Sequence, residues 1–197
     1  MARFIINGYG QIELNNVAWP RDGRVEAQST INATSFSDGL ENGMIVSVDG
    51  AAREFVAYDA GLPWAVVYST EKSYDPAKSG LKNFKNELNG FLPRAGYPSV
   101  GDKWTTNVFS ADDTAADGDT PAGLFYDANG DMDQADMLDV IDDELKTGLY
   151  AVPDTGGAMV LLDATAAAAV TGPLLKVLKR YTMPDGSPAI QVQVIRV

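Results

Sequence analysis

The sequence predicts a mainly β protein of the α+β kind, an antiparallel β-rich barrel or sandwich with one or two short helices. Three observations carry this expectation. Short runs of alternating apolar and polar residues recur along the chain, turn dipeptides containing glycine separate them, and only two segments set apolar residues at helical spacing. A length of 197 residues, with 45% hydrophobic and 21% charged residues, suits one folded domain with a sizeable core. A single β-rich domain over residues 1–197 is therefore expected, with an acidic loop and helix inserted at about 111–145.

The elements follow in order. Phe4-Ile5-Ile6 and Gln11-Ile12-Glu13-Leu14 flank Asn7-Gly8-Tyr9-Gly10, where Asn7-Gly8 favours a tight turn. In the next run, Val25, Ala27 and Ile31 point to one side and Arg24, Glu26 and Gln28 to the other, the period of a half-buried strand. Met44 to Val48 and Arg53 to Tyr58 form a hairpin across Asp49-Gly50. Trp64 to Ser69 is mostly apolar and reads as a central strand. Asp75 as N-cap, Pro76 at the first helical position, Leu81, Phe84 and Leu88 on one face and Gly90 as a stop predict a helix, with Lys78, Lys82 and Lys85 on its other faces. A strand is expected from Lys103 to Phe109, and an exposed loop over 111–123.

Met137, Leu138, Ile141 and Leu145 then make an apolar stripe at helical spacing. Thr147 to Val152 and Ala158 to Asp163 read as a strand pair across Pro153 to Gly157. The run Ala164 to Val170 is ambiguous, since alanine favours helix but Gly172-Pro173 cuts it short. The final hairpin is the clearest. Leu174 to Met183 and Pro188 to Val197 pair across Pro184-Asp185-Gly186-Ser187, with Gly186 at a positive φ. Ile190, Val192 and Val194 face the core, and Gln191, Gln193 and Arg196 face outward.

The net charge is −12, and its distribution is uneven: twelve acids and no Lys or Arg lie between Asp112 and Glu144, while the other 15 acids are matched by 15 bases. Such a patch repels phosphate, which argues against nucleic acid and anionic membrane as partners. The chain has no Cys and no His, so thiolate chemistry, disulfides and the commonest general base and zinc ligand are excluded. The first residues lack the long apolar stretch of a signal peptide, and no run of about 18 apolar residues could span a membrane. A protein made and used in the cytoplasm, or released by lysis, is expected.

The acidic segment invites a calcium reading. An EF-hand loop places oxygen ligands at positions 1, 3 and 5, Gly at 6 and a bidentate Glu at 12. Counting from Asp127 puts Asn129 and Asp131 correctly but Met132 at the turn and Leu138 at the last ligand. Counting from Asp131 puts Asp133 correctly but Ala135 at a ligand position and Asp136 at the turn. A solvated helix face, with Asp136, Asp139, Asp142 and Asp143 on its wet side, fits better. Ser69-Thr70-Glu71-Lys72 and Lys146-Thr147-Gly148 match two penicillin-binding-enzyme motifs, which would make Ser69 a nucleophile activated by Lys72. Ser79 to Lys82 matches as well, the third motif is missing, and Ser69 follows a strand, so the match is one of chance. The Asn32-Ala33-Thr34 sequon matters only in a secretory pathway. No catalytic, cofactor-binding or metal residue is assigned, and the chain is expected not to be an enzyme and to carry no cofactor.

The opening INGYGQIELNNVAWPRDGRVEAQ and the closing LKVLKRYTMPDGSPAIQVQVIRV resemble virion structural proteins of tailed bacteriophages, in particular the head decoration (capsid cement) proteins. YSTEKSYDPAKSGLKNF and YPSVGDKWTTN are similar in the same sense, so the likeness touches roughly half the chain. It implies a non-enzymatic protein assembled in the host cytoplasm and placed on the outer capsid surface of the virion. Its partner would be the major capsid protein, and it would be a homo-oligomer, often a trimer. An acidic surplus suits the outside of a shell better than the inside, where packaged DNA would repel it. Two alternatives stand beside this: another virion part, such as a tail or head–tail connector protein, or a calcium-dependent or carbohydrate-binding surface protein using Trp19, Trp64, Trp104 and the tyrosines as stacking faces.

Overall fold

Two sheets, each antiparallel apart from one edge pairing, give the chain its β character. The computed structural model describes residues 8–19, 27–69, 84–90, 92–110, 134–184 and 186–197. In chain order the elements are β1 (Ile12–Asn16), β2 (Ala27–Gln28), β3 (Thr30–Ile31), β4 (Ile45–Asp49), β5 (Glu54–Val56), β6 (Trp64–Val67), β7 (Arg94–Gly96), β8 (Lys103–Thr106), β9 (Phe109–Ser110), α1 (Gln134–Thr147), β10 (Tyr150–Pro153), β11 (Met159–Leu162), α2 (Ala164–Ala169), β12 (Leu174–Thr182) and β13 (Pro188–Arg196). The fold is thus mainly β with two short helices. One sheet has the order β1-β8-β13-β12-β10-β11-β9, the other β2-β7-β6-β4-β5-β3. Only the β9–β11 and β3–β5 edge pairings are parallel.

The first sheet curls on itself, and chain length alone requires it. β8 and β9 are separated by Asn107 and Val108, so Thr106 and Phe109 lie at most about 11 Å apart. Yet they occupy the second and seventh positions of the sheet, which in a flat sheet would be about 24 Å apart. Side chains extend the β1–β8 pairing to the point where the chain turns away. Asn107 Oδ1 accepts from Gln11 N–H at 2.7 Å, and Thr106 Oγ1 donates to the Gln11 carbonyl at 2.7 Å. Met159 N–H reaches the Val108 carbonyl at 3.3 Å, joining the far edge.

The second sheet is buried on both sides at its centre. Every residue of β6 is buried, as its unbroken apolar run predicts. Ile45, Trp64 and Val66 belong to the main core, which they share with Trp104, Leu175, Ile190 and Val192 of the first sheet. Val46, Ala65 and Val67 point the other way, into a second cluster with Leu40, Phe55 and Ala95.

Trp19 locks the sheets together. Its ring lies edge-on to Trp104 at 6.1 Å and tilted against Tyr68 at 5.9 Å. It also lies flat on Gly96 of β7, where a Cβ would meet the indole at 2.3 to 2.4 Å. The fit leaves the indole N–H groups of Trp19 and Trp104 buried without a hydrogen-bond partner, a polar cost set against the area these rings bury. Asp102, itself buried, holds the preceding residue in place: its carboxylate accepts from Ala18 N–H at 2.8 Å and Ser99 N–H at 2.7 Å.

The hairpins form where the sequence places them. β4 pairs with β5, β10 with β11 and β12 with β13. In the first turn the Asp49 carboxylate accepts from the N–H groups of Ala51 and Ala52, an Asx turn. In the last, Gly186 has φ +88 and donates to the Met183 carbonyl. Ile190, Val192 and Val194 are buried, as expected. Gln191 and Gln193 are half-buried on the outer face. Arg196 is less free than expected, because its guanidinium donates to the carbonyls of Val170 and Gly172. Ala27, Ser29 and Ile31 are buried while Gln28 and Thr30 are exposed, which matches the expected alternation. The ambiguous alanine run is a six-residue helix, α2, because Asp163 caps it by accepting from Ala166 N–H at 2.6 Å.

The expected helix of 75–90 is corrected over the part described. Residues 84–90 are not helical. Asn86 instead exchanges backbone hydrogen bonds with Leu40 in both directions, at 2.7 and 2.9 Å, and its side-chain amide donates to the same carbonyl. This tertiary pairing overrides an apolar pattern that suited a helix. Asp75, Pro76 and Leu81 lie outside the described residues, as do Phe4 to Asn7 and the 111–123 loop. The single strand expected from Lys103 to Phe109 is two strands, since at Asn107 the chain passes from the second position of the sheet to the seventh.

Gly96→Ala should destabilise the protein by about 1–3 kcal/mol, because the new methyl must displace the Trp19 ring. Denaturant unfolding followed by tryptophan fluorescence measures this, and an unchanged midpoint would mean the ring does not rest there. Ile190→Ala should cost about 2–5 kcal/mol, whereas Gln193→Ala should stay within about 0.5 kcal/mol. Equal costs would contradict the register of the last hairpin.

Candidate interaction surface

The outer face of the first sheet carries the most organised polar surface among the described residues. Strand register sets its rows. Asn16, Lys103, Gln193, Lys176 and Tyr150 lie across five adjacent strands, β1, β8, β13, β12 and β10. Glu13, Thr105, Gln191 and Lys179 form the next row on the same side. Asn15 braces the second row, since its Oδ1 accepts from Thr105 Oγ1 at 2.8 Å and from Gln191 Nε2 at 3.0 Å.

A bulge decides which charges this face presents. Strict alternation would put Lys176 and Lys179 on opposite sides of β12. The register shifts between Val177 and Lys179, so that Lys176 stands opposite Gln193 and Lys179 opposite Gln191. Both lysines therefore point outward, with Lys179 Nζ 5.4 Å from the centre of the Tyr181 ring. Lys103, Lys176 and Lys179 form no salt bridge with any carboxylate among the described residues. Glu13 is the one acid in these two rows.

The other side of β12 is occupied by α1. Ile141 is fully buried in the main core, and Leu145 packs partly against it. Arg180, opposite Ile190, reaches Asp142 of the helix at 2.9 Å. Asp143 and Lys146 pair at 2.7 Å on the exposed side. The hydrogen bond from Lys146 to Asp143, with the attraction of that carboxylate, raises the Lys146 pKa above its usual value. The helical stripe read from Ile141 and Leu145 thus meets the core, and Asp142 and Asp143 lie toward solvent.

The motif candidates have structural roles where they are described. Ser69 Oγ accepts from Arg94 N–H at 2.9 Å and its carbonyl accepts from Asn42 Nδ2, which ties the end of β6 to β7. Lys72 lies outside the described residues. Thr147 donates to Glu144 at the end of α1, a local helix-terminal contact. Trp19, Trp64 and Trp104 are buried, so none of them offers a stacking face to a sugar. No group of three or more acids able to hold a metal occurs among the described residues. Asp127, Asn129, Asp131 and Asp133 lie outside them. The lysine triad went unassigned in the sequence because its signal, two lysines three apart in a strand, reads as one inward and one outward residue unless the bulge is known.

Comparison of the chain with protein-family models, with curated proteins and with solved structures gives no match in any of the three.

Calorimetric titration with Ca²⁺ and with Mg²⁺ should show no stoichiometric site tighter than roughly 10 µM, because neither EF-hand frame supplies the turn glycine or the twelfth ligand. A site of that affinity would overturn the reading of the acidic segment as solvated surface.

Proposed function

We propose that this chain is a head decoration (capsid cement) protein of a tailed bacteriophage. In this reading it is a non-enzymatic homo-oligomer, a trimer, bound to the major capsid protein on the outer surface of the virion. The observation that carries the reading joins sequence to structure. The segments that resemble decoration proteins at the two ends of the chain, and the YPSVGDKWTTN segment between them, supply β1, β8, β13 and most of β12. These four strands are consecutive in one sheet. The opening segment also supplies β2 of the other sheet, and YSTEKSYDPAKSGLKNF lies mostly outside the described residues, but the greater part of the described likeness falls on these adjacent strands, which suits a shared docking role. A β-rich domain is compatible with this reading, and the acidic surplus suits an exterior position, away from packaged DNA.

Purified protein should bind expanded or empty capsid shells saturably and raise their melting temperature, since a ligand specific to the assembled state stabilises it by mass action. Shells melted with and without saturating protein give the comparison. Equal melting at full occupancy would remove the cement role, and absence of binding would remove the reading.

A further inference from the structure

We propose that Lys103, Lys176 and Lys179 form a docking face for an acidic segment of a partner protein, held against the outer side of the β8-β13-β12 strands. The inference deepens the decoration reading, in which a capsid subunit would supply that segment, while its chemistry depends on the triad alone.

The geometry is built in by the sheet. Lys103 and Lys176 flank Gln193 in one row, so their backbones are two strand spacings apart, about 10 Å. Lys179 lies in the next row on the same face, about 7 Å along the strand direction. Same-side carboxylates of an extended segment also recur about every 7 Å. A strand-like acidic partner can therefore meet more than one ammonium group without distorting the sheet. The amide of Gln193 lies between Lys103 and Lys176 and offers hydrogen bonds to that partner's backbone.

The face also carries an excess of positive charge, three lysines against the single acid Glu13 in the two rows. Asp142 and Asp143 of α1 lie across β12 and pair with Arg180 and Lys146, and among the described residues no carboxylate forms a salt bridge with the three outward lysines. Three like charges on one sheet face repel each other, and a partner's carboxylates would relieve that repulsion. Duplex DNA, with a charge about every 1.7 Å, is the poorer occupant, because a chain of net charge −12 would repel it beyond the triad.

The test uses the intact protein and a fluorescein-labelled poly-glutamate peptide, read by fluorescence anisotropy at low salt. Binding should saturate and weaken as salt rises. The K176E/K179E double variant should bind about tenfold more weakly or worse, with an unchanged circular dichroism spectrum and melting temperature, because both side chains are exposed. Lys146→Glu, on the far side of β12, should bind as the parent does. The proposal is overturned if the peptide does not bind, if the double variant binds normally, or if a single-stranded oligonucleotide binds more tightly than the peptide. It is also overturned if the double variant changes the oligomeric state in light scattering, since the face would then belong to a second copy of the chain. No capsid shell enters the experiment, so its failure leaves the decoration reading standing, and failure of shell binding leaves the triad's chemistry standing.

Discussion

The two residues between β8 and β9 constrain the rest of the molecule. Asn107 and Val108 carry the chain from the second strand of a seven-stranded sheet to its last, and a link that short exists only if the sheet bends until its ends approach. The bend makes one side concave and fills it with Trp104, Leu175, Ile190 and Val192. The β1–β8 register sets Gln11, at the entrance to β1, beside Asn107, so that backbone groups where β8 ends find side-chain partners.

The second sheet is held to this curled one through shared apolar surface. β4 and β6 present alternate residues to two clusters, so neither face of their sheet can be wetted without opening one of them. Trp19 completes the joint. It requires a strand residue without a side chain, Gly96, and a neighbouring ring, Trp104, from the opposite sheet. Trp19 is far in sequence from both of these partners, which places the stability of this region in long-range contacts that form only when both sheets are in place.

Much of this could be read from the sequence, and the remainder had identifiable physical obstacles. Turn dipeptides such as Asp49-Gly50 and the residues around Gly186 mark hairpins because they solve a local backbone problem, and local problems are visible locally. The buried stripe of α1 is visible for the same reason. Residues 84–90 have a pattern that suits a helix, yet Asn86 is held by Leu40, forty-six residues earlier, and nothing within the segment announces that partner. The bulge in β12 has no signature in Val177-Leu178-Lys179, although it decides which way Lys179 points. The curl follows from which strands pair, so it too could not be anticipated from the strands singly. The candidate surface depends on both of these non-local features, and the sequence alone therefore identified its strands without identifying its charges.

The bulge has a further consequence for motion in solution. By turning Lys179 to the side of Lys176 while Arg180 faces α1, it separates positive and negative charge across the thickness of a single strand. Such an arrangement is an electric dipole, and a dipole near a charged wall experiences a torque before any atom touches. Molecules tumbling toward a negatively charged surface would be turned lysine side first, and those approaching a positive one would be turned helix first. One extra residue in a strand thereby acts on the rate and geometry of collision, at distances up to the Debye length of about 8 Å at physiological ionic strength, well before contact energies apply.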